Sequence, residues 1–252
     1  MEDVKSNDSF LDAMAGQGAE KFGAGDIKIP FIKILTKGCP ETEEQNPAYV
    51  VGAKNGMFMN TLTKFLYGPK IEVIVVDYEK LWVCWGPDRG GFKGRHKPGT
   101  IEVVGSPFDE DGMRDMEGNK VVETMNYYIL IKDHLEEGLA VLALSSSGLS
   151  HAQVWNSYML MTKLDSGKQC PTFGSFWELE LQYNQNKNGT WHTIGANKTT
   201  AVKRTRFITK EEWSMIVEPA RKMVIAATVK PDYAQLTDGA VSNGVNTDSP
   251  GY

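Results

Sequence analysis

The sequence predicts an α+β fold: a mainly antiparallel β-barrel core carrying two added helices, set between flexible termini. Three observations carry this. From Ala48 to Leu144 nearly every ordered-looking run is rich in β-branched and aromatic residues and is bounded by Gly or Pro. Helix-start signatures occur only later, after Ser150 and after Thr209. Both ends of the chain lose apolar density. With 252 residues, 41% of them hydrophobic and 23% charged, the chain can bury one sizeable core.

Residues 1–26 are dominated by Gly, Ala, Asp and Ser and read as a flexible N-terminal arm, with at most one helical turn from Ser9. A single domain is expected over 27–230. Its first segment, IKIPFIKIL at 27–35, is apolar, and Pro30 confines it to an edge or extended role. Residues 38–47 form an acidic loop. Strands follow at 57–63 and 70–85, with Gly68 and Pro69 turning between them. Residues 86–99 read as a loop rich in Gly and charge, 100–104 as a short strand and 107–118 as an acidic excursion. Strands at 121–132 and 138–144 are joined across 133–137.

Ser150 with Gln153 forms a capping box ahead of Val154, Trp155, Tyr158 and Met161, which follow helical spacing. Thr209 with Glu212 forms a second box ahead of Trp213, Ile216 and Val217. Pro219 falls inside that helix and should kink it. Between the helices, residues 176–183 and 190–194 flank a hairpin with Asn188 and Gly189 in its turn. After Lys230 there is no Lys or Arg, so 231–252 reads as a disordered, mildly acidic C-terminal tail.

Several function classes lose support. No apolar run is long enough to span a bilayer, and MEDVKSNDSF is not a secretory leader, so an intracellular protein without a membrane partner is expected. The three cysteines and four histidines are scattered, giving neither a disulfide framework nor a metal knuckle. RGGFKG lacks the spacing of a phosphate-binding loop, and LSSSGLSH lacks a nucleophile elbow. The chain is therefore expected to be no enzyme and to need no cofactor or metal.

A net charge of −5 argues against a uniformly basic surface but not against a local basic patch. Arg89, Lys93, Arg95 and Lys97 cluster with Phe92 and His96 in GPDRGGFKGRHKPG, without an acid between Arg89 and Lys97. Cations neutralise phosphates, and an aromatic ring among them can stack on an unpaired base. On the preceding strand Tyr78, Lys80 and Trp82 alternate as ring, charge, ring on one face, opposite Leu81 and Val83. Asp77 and Glu79 then fall on the core side, a phase defect that a bulge would repair. The competing reading makes the loop plain solvated surface and Trp82 the cover of a second core. Lys198, Lys203, Arg204 and Arg206 form a second basic run that could line a groove or be solvated charge. Trp155, Tyr158, Trp177, Tyr183 and Trp213 are assigned to the core by their spacing, whereas Trp191 could point either way.

Taken together, IPFIKIL, GAKNGMFMNTLT, IEVIVVDYEKLWVCW leading into GGFKGRH, and FWELELQYNQNKNGTWHTI resemble a group of bacteriophage-encoded single-stranded DNA-binding proteins. The resemblance implies an OB-like barrel, a duty on displaced single-stranded DNA in phage replication or recombination, and a place in the cytoplasm of the bacterial host. It also implies that the tail recruits replication or recombination enzymes, though the stretch from Asp248 to Tyr252 is poor in acids for that purpose. A homo-oligomer is compatible with all of this. The alternative is a virion structural or assembly protein using its flexible arms.

Overall fold

In the computed structural model, which describes residues 28–87, 91–106, 109, 111–186, 189–194 and 202–228, apolar alternation builds two antiparallel sheets. The small sheet runs β1 (Ile32–Ile34), β2 (Phe58–Asn60), β3 (Leu66–Gly68). The large one is built on two long strands, β4 (Lys70–Trp85) and β8 (Lys120–Ile131), paired from Val73 opposite Ile131 to Trp85 opposite Lys120. β5 (Phe92–His96) and β10 (Ser175–Asn186) both pair with β4, at its opposite ends. On the far side of β8 lie β7 (Met113–Asp115), which carries β6 (Val103–Val104), and β9 (Ala140–Ser145). β10 also pairs with β11 (Gly189–Ile194) and β12 (Val202–Phe207).

One extra residue sets the layout of this sheet. Val75 faces Ile129 and Asp77 faces Tyr128, so Val76 is a bulge. A one-residue shift exchanges the two faces. Ile71, Val73 and Val75 therefore share a face with Tyr78, Lys80, Trp82 and Cys84, while Ile74, Val76, Asp77, Glu79, Leu81 and Val83 take the other. The Val76 carbonyl accepts a hydrogen bond from Arg221 Nη1 at 2.7 Å, and Asp77 Oδ1 accepts from the Tyr78 N–H at 2.8 Å.

The first face holds the main core. Helix α1 (Leu149–Met161) lays Ala152, Trp155 and Met159 onto Met125, Tyr127 and Leu142, with Trp155 stacked on Tyr127 at 4.4 Å. The second face is covered by a composite helix α2, residues 210–228, whose Val217, Ala220 and Val224 meet Ile74, Val76 and Tyr128. Thr209 caps α2 in a full capping box with Glu212. Pro219 cannot donate to the carbonyl of Met215, and the helix widens into a π turn over Trp213–Val217 just before it.

Several expectations are corrected. The protein is mostly antiparallel sheet with two short helices, and among the described residues no sheet closes into a barrel, OB-like or otherwise. The large sheet does curl, bringing the Arg95 guanidinium of β5 within 5.4 Å of the Phe31 ring beside β1, but this contact runs through side chains and no backbone pairing seals it. Residues 92–96 are a strand, not loop, and 113–115 form β7 inside the expected acidic excursion. Ser150 caps nothing, because α1 already begins at Leu149 after a short 3-10 turn. Gly189 opens β11 instead of sitting in the hairpin turn. Tyr183 is 59% exposed, since the β10–β11 hairpin outruns the core after Leu181 and Ile194. Tyr158 is also exposed, whereas Trp155 and Trp177 are buried. The expected arm at 1–26 and tail at 231–252 lie outside the described residues.

Helix α2 covers the second face through a start defined by Thr209. Thr209→Ala should therefore lower unfolding free energy by about 1 kcal/mol, with Thr209→Ser close to wild type, in urea denaturation.

Candidate nucleic-acid interface

The bulge decides where the sequence-selected residues go. Tyr78, Lys80 and Trp82 do share one face, and His96 joins them as the cross-strand partner of Trp82. This stretch of the first face lies between two covers. On one side is α1, held by Tyr127, whose single hydroxyl proton is shared between the Ala152 carbonyl at 3.1 Å and Asn156 Oδ1 at 2.9 Å. On the other is a small cluster of Cys84, Met113 and Val121 closed by Ile101 and Val103.

Between the covers Tyr78 is exposed, its ring 5.2 Å from that of Tyr127. Lys80 is exposed too, and its ammonium reaches Glu123 at 2.9 Å. Trp82 is only half-buried, but it packs into the small cluster and its indole N–H is enclosed without an acceptor. The cover role weighed for Trp82 is thus real, and Tyr78 is the more open ring.

The cations of β5 divide differently. Phe92 and Arg95 stand opposite Trp85 and Val83 and so belong to the second face. Phe92 meets the Trp85 ring edge-on at 5.8 Å, and Arg95 lies 5.7 Å from the Phe92 ring. Lys93 falls in the register shift of β5, where Gly94 faces Cys84 and Phe92 faces Trp85, and it is exposed. Lys97 is exposed just past the strand. Arg89 lies outside the described residues.

The second basic run is separate. β10 meets β4 no farther than Ile74, whereas β5 meets it only from Trp82 onward, so about 26 Å of strand lies between them. Arg206 is engaged within the fold: both its terminal nitrogens reach Glu212, at 2.5 and 2.8 Å, and its guanidinium lies 4.0 Å over the Phe176 ring. These hydrogen bonds hold the Glu212 carboxyl down to about 2. Arg204 is exposed over the Phe207 ring at 4.4 Å and Lys203 is exposed opposite Glu178. Lys198 lies outside the described residues.

Sequence reasoning missed two participants. Phe31 is the aromatic ring that Arg95 stacks on, and nothing in IPFIKIL signals that contact. Glu79 sits half-buried inside the curl of the sheet, and burial raises its carboxyl pKa despite a hydrogen bond from Tyr128 and the nearby charges of Arg95 and Lys97.

A β-sheet protein with an exposed ring-and-cation row, free of any His, Cys, Asp or Glu cluster able to hold a metal among its described residues, is the class the geometry defines. The model of the Pam3 phage gp34-like protein family matches residues 4–218, and the chain belongs to that phage-derived family. Comparison with curated proteins gives no match, and comparison with solved structures gives none. No helix among the described residues is long and apolar enough to cross a membrane.

Because the raised Glu79 pKa lies above its unfolded value, ionising it disfavours the fold. Stability should fall as pH rises from the ordinary carboxylate range through that raised value. Glu79→Gln removes this penalty and keeps an acceptor for Tyr128. The variant should melt higher than wild type near about pH 8, the gap closing toward about pH 4. Parallel thermal melts at both values check this, and equal gaps would contradict it.

Proposed function

We propose that this phage-family protein binds single-stranded DNA without strong sequence preference, in phage DNA replication or recombination. The observation that carries the reading is the row of Tyr78, Lys80 and Trp82, open at its Tyr78 and Lys80 end on a rigid strand pair. An exposed ring offers a face to any base, and a lysine two residues away can reach the phosphate beside it. His96 extends the row, while exposed Lys93 supplies charge along the neighbouring strand and exposed Lys97 lies just past its end, near Glu79. Arg206 is assigned to the fold instead, and Lys203 with Arg204 to a second, peripheral contact with the backbone. A long strand could touch both stretches in turn.

Single-strand oligonucleotides titrated against the protein should quench its tryptophan fluorescence, with duplex of the same sequence doing much less. Affinity should drop steeply with salt, and Lys93→Ala or Lys97→Ala should each flatten the log–log slope by about 0.7. Tyr78→Ala should weaken binding by about 1–3 kcal/mol in an anisotropy titration while the melt stays cooperative. Trp82→Ala is a poorer probe, because it also opens the small cluster beneath Ile101 and Val103. Absence of quenching and of any anisotropy change at low salt would sink the proposal.

A further inference from the structure

Helix α1 carries no Asp, Glu, Lys or Arg over its 13 residues, LSHAQVWNSYMLM. Its inner side is occupied by Ala152, Trp155 and Met159. Its outer side is not polar as a solvent-facing helix requires: Val154 is 49% exposed, Tyr158 37%, Leu160 61% and Met161 65%. Ser150, Gln153 and Ser157, all uncharged, share that surface, and half-buried His151 borders it one turn before Val154 and two before Tyr158. Val154, Tyr158 and Met161 recur at helical spacing, so they form one stripe and not scattered exposed residues.

The chemistry of the stripe selects its occupant. With no Lys or Arg, and with burial lowering the pKa of His151, it cannot hold a phosphate backbone, nor an anionic lipid surface. With no Asp, Glu, Lys or Arg it has nothing to steer or register a charged protein partner. An interface core is depleted of charge and enriched in Tyr and Met, as this stripe is. The surface it matches best is uncharged, apolar and helical, which is its own. We infer that α1 is a dimerisation surface, its occupant the same helix of a second copy, packed antiparallel about a two-fold axis near Ser157. In that arrangement Tyr158 of each copy lies toward Val154 of the other, and each positive helix N-terminus meets a negative C-terminus.

Size sets the strength. A helix of 13 residues is about 20 Å long, so the pair alone buries less than the about 800 Å² per partner of a standard interface. The dimer should therefore be concentration-dependent.

Sedimentation velocity of the full chain without nucleic acid tests this separately from DNA binding. Wild type should move from monomer toward dimer as concentration rises from about 1 to about 100 µM. Val154→Glu and Met161→Glu should stay monomeric over that range with unchanged circular dichroism, whereas Met215→Glu, on a still more exposed methionine of α2, should dimerise as wild type does. Ser157→Cys should give a disulfide-linked dimer under mild oxidation, the three native cysteines being buried. A wild type that remains monomeric at about 100 µM, or a dimer indifferent to both glutamates, overturns the inference.

Discussion

The bulge at Val76 is the constraint on which the rest of the arrangement hangs. A 16-residue strand with a strict two-residue period would keep Tyr78, Lys80 and Trp82 on the side of Ile74, beneath α2. One inserted residue moves them to the side of Val73 and Val75, at the edge of the main core, and sends Leu81 and Val83 into the curl of the sheet. The insertion costs a ladder hydrogen bond, which Arg221 replaces from α2 while its guanidinium also stacks 4.3 Å from the Phe173 ring. The helix that covers the second face thus stabilises the irregularity that shapes the first.

The same economy governs the charges. Lys33 is fully buried yet paired with Glu41 at 2.8 and 3.0 Å, a pair whose value lies in fixing the segment after β1 more than in net stability. Lys132 and Thr205 both donate to Glu72, Lys70 reaches Glu178, and Arg206 reaches Glu212. These pairs gather where β10, β12 and α2 meet, so cations there are compensated locally. At the β5 end, Lys93 and Lys97 are exposed and make no ion pair within 4 Å among the described residues. The net charge of the chain therefore says little about the potential over the Tyr78 row, which depends on which acids lie nearby.

How much of this was legible in the sequence varied with the physics involved. The long strands, the strand pair across 133–137 and the Thr209 cap rest on local patterns, and those patterns are strong. The phase defect at Asp77 and Glu79 was also visible, and it called for a bulge. Its position was not visible, because Val73, Ile74, Val75 and Val76 are all buried: where both faces are covered, period-two alternation disappears. β5 was missed for the opposite reason. FKGRH has little strand propensity of its own and becomes a strand by pairing with Trp82–Trp85. Glu41 looked like solvated loop charge, since its buried partner lies eight residues earlier in a strand. A barrel was expected because strand count and spacing carry no record of whether the last edge pairs, and here Arg95 and Phe31 meet where backbone pairing would have had to be.

The two exposed features of the first face are also mechanically one. Asn156 of α1 accepts from the Tyr127 hydroxyl and directs its amide at Met125 Sδ, 3.8 Å away. Tyr127 and Met125 are the cross-strand partners of Tyr78 and Lys80. Burial pushes the Tyr127 phenol well above its ordinary pKa, so it remains a hydrogen-bond donor across the working pH range and the link does not titrate. Trp155 stacks on the same Tyr127 ring that Tyr78 approaches. A contact that shifts α1 therefore acts on the ring-and-cation row through side chains one residue removed from it, without any change in strand pairing. The outer surface of the helix and the open end of the row are two sides of a single packed unit centred on Tyr127.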